Sequence, residues 1–462
     1  MSTGNGRSSH PGWPDPRESR VFLFTRADFD PASGVARLGY RFDDGPELVE
    51  RIRFAGGSVP SSLAGQTAFR RALDVLHGIA GVSYYKAGLS PELRLPPRYA
   101  DFTDFLTDLY VHGLAEFGYV NGLDVAARVR FEVGDEPLSP PARIEALGLP
   151  DRALVAMGGG KDSLVALDLL RASGVEVLPA CVGDSELIRD TVAVTGLPLL
   201  RIGRTLAPEL AEINRAGAWN GHVPVTAINS AILLCASLLY GYRNIIFANE
   251  RSADEATVST PDGREINHQY SKSFAFERSF RDVVGRLIAP DLEYFSVLRP
   301  YSELGIVQQF SRLEALHPVY SSCNRNFHLE GPRVSDRWCR DCPKCRFAAL
   351  SLALYLEPQQ VAAIQGGDLL NDPAQESGFR ALCRLGQDKP FECVGEAGES
   401  RAAMQALGRQ EPWRNHVVVR ALRSDLAAVE VPDLESLVRP SARHFIPPRL
   451  SALIGLPDAC RD

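Results

Sequence analysis

The 462-residue chain has no apolar run near the roughly 20 residues that span a bilayer. Its longest apolar stretch, AINSAILLCASLLYGY, is interrupted by Asn229, Ser230 and Ser237 and reads as a buried helix. The first twenty residues, MSTGNGRSSHPGWPDPRESR, lack the apolar centre of a signal peptide and read as a disordered tail, 1–20. An excess of positive charge is missing too. Lys and Arg number 50 against 57 Asp and Glu, a net charge of -7. That argues against a general nucleic-acid binder, which carries a basic footprint. The nine cysteines are odd in number and mostly unclustered, which argues against a disulfide framework. These absences set the expectation of a cytoplasmic globular protein with no membrane or nucleic-acid partner. At this length two or three domains are expected.

What is present falls into blocks. VFLFTRADF, VARLGYRF and LVERIRFAG are β-rich segments separated by the turn chemistry of DPASG and DDGPE. Helical patterns follow in TAFRRALDVLHGIAG and YADFTDFLTDLYVHGLAEFGYVNG. Residues 21–135 therefore read as an α+β N-terminal domain, and the Pro- and Gly-rich stretch near 134–152 as a linker. From residue 153 strands and helices alternate. ALVAM, GVEVLPACV, LPLLRIG and RNIIFAN are short apolar strands; DSLVALDLLRAS, SELIRDTVAVTG and VPVTAINSAILLCASLLYG are the helices between them. Such alternation predicts an α/β fold, a doubly wound parallel sheet with helices on both faces, over 150–356. Residues 357–462 read as a helical C-terminal region. Ligands in such sheets sit beyond the carboxyl ends of the strands, so the loops after Met157, Val182 and Asn249 are the places to look.

The first of those loops is GGGKDS, Gly158, Gly159, Gly160, Lys161, Asp162 and Ser163. Glycines let backbone N–H groups approach an anion closely, and the helix N-terminus that follows adds partial positive charge. Lys161 and Ser163 add side-chain donors, so the loop suits phosphate. It is not a Walker A loop, because Asp162 follows the lysine. It resembles the pyrophosphate (PP-) loop of the ATP pyrophosphatase superfamily, S-G-G-x-D-S after the first strand, with Gly158 in place of the leading serine. That resemblance implies a fold of the adenine nucleotide alpha-hydrolase-like type and cleavage of ATP between its α and β phosphates.

A second cluster lies in SSCNRNFHLEGPRVSDRWCRDCPKCRF. Cys339, Cys342 and Cys345 form C-x2-C-x2-C, with Cys323 upstream. Four thiolates can close a tetrahedral structural zinc site, and Arg340, Lys344 and Arg346 would offset its negative charge. Reduced buried thiols and redox or catalytic cysteines are the other readings.

Several further stretches appear together: AWNGHVPVTAINSAI, FANERSA, EINHQYSK, SSCNRNFH and KPFECVGE. With the GGGKDS loop they are similar to the bacterial UDP-N-acetyl-muramoyl-L-alanyl-L-glutamate epimerase (MurL-like) family, from about residue 21 to beyond 440. The resemblance implies that the terminal L-glutamate of UDP-MurNAc-L-Ala-L-Glu becomes D-glutamate, with ATP and Mg2+ consumed to give AMP and pyrophosphate, in peptidoglycan precursor synthesis. The chemistry is sensible, because the Cα–H of a carboxylate is a very weak acid. An acyl-adenylate removes the carboxylate charge and lets a base take the proton.

In this reading Gly158 to Ser163 cradle the phosphates and Asp162 holds Mg2+. Asp184, Asn249 and Glu250 line the nucleotide or metal site by the strand-end rule. His222, His268, Tyr270, Lys272 and His328 are the candidate proton movers. A cysteine pair, Cys323 with Cys393, competes with that set and with the zinc reading. Arg251, Arg264, Lys272, Arg325 and Arg333 are candidates for the substrate's anionic groups. Two other functions stay open at this point: a PP-loop ligase or base-modifying enzyme (thiolation, amidation or nitrile formation) on a nucleotide-like substrate, and a non-catalytic nucleotide-binding regulator.

Overall fold

The computed structural model describes residues 15–134, 144–256, 258–259, 263, 265–327, 336–386, 389–390, 392, 394–457 and 459. Ten strands form one sheet: β1 (Val21–Asp30), β2 (Val35–Phe42), β3 (Leu48–Arg53), β4 (Glu92–Leu95), β5 (Phe131–Val133), β6 (Arg152–Ala156), β7 (Glu176–Val182), β8 (Leu200–Thr205), β9 (Asn244–Phe247) and β10 (Glu293–Ser296). Their order across the sheet is β10-β9-β6-β7-β8-β3-β2-β1-β4-β5. The five strands from β10 to β8 are all parallel. Among them the winding reverses between β6 and β9, which makes the gap beyond their carboxyl ends the natural crevice for a ligand.

Side chains along these strands alternate between two cores, as a period of two requires. Ala153 and Val155 of β6 join one core and Leu154 the other; Ile246 of β9 and Phe295 of β10 oppose Ile245 and Tyr294 in the same way. Both faces are covered, which is why the strands read as unbroken apolar runs. One face carries helices α1 (Leu63–Ala80) and α2 (Ala115–Asn121) of the N-terminal block. The other carries α3 (Lys161–Ala172). Helix α4 (Val225–Tyr240) returns to the first face, where Ile228, Ile232, Leu234 and Leu238 are buried. Helix α4 is apolar nearly all round because it is sandwiched, as its sequence suggested. Left-handed Gly241, φ +73°, ends it. Helix α5 (Phe274–Val283) precedes β10. Helices α6 (Glu303–Phe310), α7 (Pro343–Leu352) and α8 (Ala397–Leu407) complete the second core with the C-terminal helices.

The N-terminal meander does not stand apart from this sheet. β3 pairs antiparallel with β8, Ile52 opposite Arg204. Beside that ladder Arg204 Nε donates to buried Glu50 Oε1 at 2.7 Å, and its Nη2 to Ser83 Oγ at 3.1 Å. The segments 21–135 and 150–356 therefore share one continuous, mixed, mostly parallel sheet. No described helix is long and apolar enough to cross a membrane.

Candidate functional site

β6 ends at Ala156 and α3 begins at Lys161, so the chain must turn within Met157–Gly160. Gly159 makes the turn at φ +74°, where a Cβ would also stand 3.2 Å from Ile188 and 3.3 Å from Leu187. Only glycine adopts that conformation without strain. Gly160 is the N-cap of α3 and brings no side-chain acceptor, so the first N–H groups of the helix remain available to an anion. The turn opens into a cavity of about 250 Å³. Met157, Gly158, Gly160, Lys161, Asp162 and Ser163 line one side, Phe247, Ala248 and Asn249 the other, with Thr226 and Asn229 of α4 between. It lies at the reversal between β6 and β9.

Lys161 is the charge centre of this cavity. Its buried Nζ lies 2.5 Å from Asp162 Oδ1 and is hydrogen-bonded to Glu303 Oε2. Burial opposes the ammonium, but the two carboxylates outweigh it and hold Lys161 above its ordinary value. Burial pushes Glu303 up, while Lys161 pulls it back and Asp162 and Glu250 add to the rise. Two carboxylates thus converge on one cation. Glu303 was not anticipated. Its one signal is the helix start at Ser302, whose hydroxyl caps α6 by accepting from Gly305 N. Glu399, in the KPFECVGEAGES stretch, accepts from Leu304 N at 2.9 Å and from Ser252 Oγ at 2.7 Å. The C-terminal segment therefore fixes the helix end that carries Glu303.

The loop after β9 is held from beneath. Asn249 N donates to Ser296 Oγ at 2.8 Å, and that hydroxyl donates to Asn249 O at 2.6 Å. Arg299 and Glu277 form a fully buried ion pair at 2.9 Å. The same guanidinium donates to Glu250 O at 2.7 Å and Lys272 O at 2.5 Å. Asn249 and Lys272 line the cavity, and Glu250 is buried behind it. Asp184 does not reach the cavity: its exposed carboxylate pairs with Arg189 and Arg201.

Next to Lys272, His222 and His268 meet around Glu116 of α2. His268 Nδ1 is hydrogen-bonded to Glu116 Oε2, His222 Nδ1 lies 3.5 Å from the same oxygen, and the imidazole centroids are 4.6 Å apart. Burial, then the charges of His268 and Lys272, bring His222 down to about 4 against the pull of Glu116, so it is neutral at pH 7. Tyr270 packs on His112 with centroids 5.0 Å apart, and burial pushes its phenol up to about 12. His328, Arg264, Arg333 and Cys393 lie outside the described residues. Arg251 is engaged by the carbonyls of Leu437 and Arg439, and Arg325 pairs with Asp341 at 3.0 Å at the surface.

The four cysteines converge as their spacing suggested. Cys323, Cys339, Cys342 and Cys345 place their sulfurs within 4.8 Å of one another. Cys339 Sγ and Cys342 Sγ stand 3.7 and 3.5 Å from Cys345 Sγ. A tetrahedral site with Zn–S bonds of about 2.3 Å would separate its sulfurs by about 3.8 Å. Arg340, at φ +62°, makes the tight turn between the thiols, and Cys339 N donates to Cys323 Sγ at 3.3 Å. The residues fit zinc. The cluster also builds the cavity wall: Ser321 and Ser322 precede Cys323, and Lys344, Phe347 and Ala348 follow from α7. Ser322 Oγ would lie 3.5 Å from a Cβ placed on Gly160.

Comparisons with known proteins agree along most of the chain. The family described as MurL N-terminal domain matches residues 14–297, and that described as MurL C-terminal domain matches 319–436. A protein of Xanthomonas oryzae pv. oryzae named UDP-N-acetyl-alpha-D-muramoyl-L-alanyl-L-glutamate epimerase is 45% identical over 441 residues, 94% of this chain and 97% of that protein. Proteins of the same name from Salinispora tropica and a Micromonospora species are 39% and 37% identical, each over at least 94% of this chain and 96% of their own.

Proposed function

The chain belongs to the MurL family of epimerases, and on that premise we propose that it inverts the terminal L-glutamate of UDP-MurNAc-L-Ala-L-Glu to D-glutamate at the expense of ATP, in cytoplasmic peptidoglycan precursor synthesis. The observation that carries the ATP requirement is the uncapped glycine turn at the sheet's reversal, with Lys161, Asp162 and Glu303 beside it. The fold around it is read as the PP-loop, adenine nucleotide alpha-hydrolase-like type.

The turn's N–H groups and Lys161 bind the β and γ phosphates and leave the α phosphorus toward Lys272 and Asn249. An oxygen of the glutamate α-carboxylate attacks that phosphorus. The bond to the bridging oxygen of the β phosphate breaks, and pyrophosphate leaves. The resulting acyl-adenylate carries no carboxylate charge, so its α proton becomes acidic enough for a side-chain base. We place the proton transfer at Lys272, which lines the cavity, with Tyr270 in the same turn. Return of a proton to the opposite face inverts the centre, and water attacking the acyl carbon releases AMP. Mg2+ would be held by Asp162 together with phosphate oxygens, and would neutralise phosphate charge there. Zn2+ fits the four cysteines and would serve structure alone, because all four positions are protein sulfurs.

The test is to incubate the protein with UDP-MurNAc-L-Ala-L-Glu, ATP and Mg2+, hydrolyse the product and resolve its glutamate chirally. One AMP and one pyrophosphate are expected per D-glutamate. D-glutamate without AMP would sink the adenylate. AMP formation that depends on added ammonia or sulfide would favour the PP-loop ligase instead.

A further inference from the structure

The corner formed by Glu116, His222 and His268 is more than a hydrogen-bonded group of polar side chains. Both imidazoles turn their Nδ1 atoms toward one carboxylate oxygen, and the three ligand atoms lie within 4.8 Å of one another. Two imidazole nitrogens and one carboxylate oxygen meeting at a point form the donor set of an open transition-metal site, three protein ligands with further positions left free. We infer that Glu116, His222 and His268 form a second metal site in this chain, for a divalent transition metal of the zinc type, separate from the four cysteines.

The surroundings hold these three side chains in place, as metal sites require. Asn220, two residues before His222, is fixed from three sides. Its Oδ1 accepts from Lys86 Nζ at 2.5 Å and from Gly221 N at 3.0 Å, and its carbonyl accepts from Asn121 Nδ2 at 3.5 Å. Asn121 belongs to α2, the helix that carries Glu116. Gly221 packs so closely on Phe117 of that helix that a Cβ would stand 3.0 Å from its ring. His268 is fixed by its neighbour: Asn267 Nδ2 donates to Ala253 O at 2.8 Å, and Asn267 Oδ1 accepts from Gln269 N at 2.7 Å. Three separate segments are thus locked around one point.

The charges suit the assignment. A metal-bound imidazole is a neutral donor, so two of them with one carboxylate would leave a divalent ion with net positive charge. The free positions would take an oxygen anion of the substrate. That last role rests on the proposed epimerisation; the site itself does not.

The experiment measures metal by plasma mass spectrometry on the full chain, reconstituted with Zn2+ and desalted, beside Glu116→Gln, His268→Ala and Cys342→Ser. We expect about one metal per chain fewer in each of the first two variants than in the wild type. Cys342→Ser should keep the metal that those two lose. Glu116→Gln preserves shape, and circular dichroism checks that it folds, so loss of metal there is not loss of the protein. Wild-type metal content in both Glu116→Gln and His268→Ala overturns the site, whatever the epimerase assay shows. Loss of metal with no AMP formation in the wild type would keep the site and sink the adenylate.

Discussion

The glycine turn, which lines the cavity, and the glutamate–histidine corner, which lies near Lys272, are built in opposite ways. The turn is six consecutive residues whose main donors are backbone N–H groups, fixed by one left-handed glycine and one helix start. The corner takes side chains from three places, with Glu116 and His268 152 positions apart. A backbone site depends on local conformation and on the charges next to it. A side-chain site depends on how the N-terminal block sits against the segment that carries the parallel strands. The two should therefore fail differently, and the difference can be measured.

The largest effect is expected at the turn's charge. Lys161→Ala leaves buried Glu303 and half-buried Asp162 facing each other without a cation, which costs on the order of 3 kcal/mol of stability. It should also lower kcat/KM for ATP about a thousandfold. Pyrophosphate release and a thermal melt read both. Metal at the corner should be unchanged, and a variant within tenfold of wild-type activity would break the contrast.

Burial holds one histidine of the core and one of the corner below the ordinary value, so acid acts on both. His77 is fully buried in the N-terminal core, its ring nitrogens bonded to Tyr99 Oη and Gly39 O at 2.8 Å each. Burial brings it down to about 3. The unfolded chain then binds the proton that the folded chain refuses. Stability is full above pH 6.5 and falls by about 1.4 kcal/mol per unit toward pH 3. Urea melts from pH 7 to 4 should show this slope with a like share from His222, and His77→Gln should remove about half of the total. An unchanged slope would mean that acid acts elsewhere.

Cys342→Ser should remove the metal of the sulfur cluster and loosen Ser321 and Ser322 against Gly160. A rise of about tenfold in KM for ATP with a smaller change in kcat is the expected reading, because the wall supports binding more than chemistry. The smallest effects belong to the turn's own glycines. Gly158 has open space where a Cβ would go, so Gly158→Ser should stay within about 0.5 kcal/mol of wild type in a melt. Gly159→Ala meets Leu187 and Ile188 at a positive φ and should cost about 1–2 kcal/mol. Equal costs at the two positions would show that the turn is not conformationally fixed.

How much was legible in the sequence follows the same divide. The strand–glycine–helix passage at 152–172 and the C-x2-C-x2-C spacing were readable because their meaning is local. The apolar strands β6 and β9 were readable because a sheet covered on both faces needs them so. Glu116 carries no signal: it is one acid on a short helix until the fold brings His222 and His268 to it. Glu303 is similar, since its role appears only where α6 meets α3. Asp184 was chosen by the strand-end rule, and the fold turns it outward to Arg189 and Arg201 because β7 flanks the crevice rather than forming it. The helical character of 357–462 was visible, but the grip of Glu399 on the start of α6 was not.

The antiparallel ladder between β3 and β8 has a consequence for taking the chain apart. Expressed as two polypeptides divided between 134 and 144, neither piece would have a finished edge: the first would end its meander at an open β3, the second would bare β8 and strand Arg204 without Glu50. Such pieces should be insoluble alone and recover when produced together. Partnership between the two halves is thus a condition of their folding, and neither could have been exchanged freely for an unrelated module.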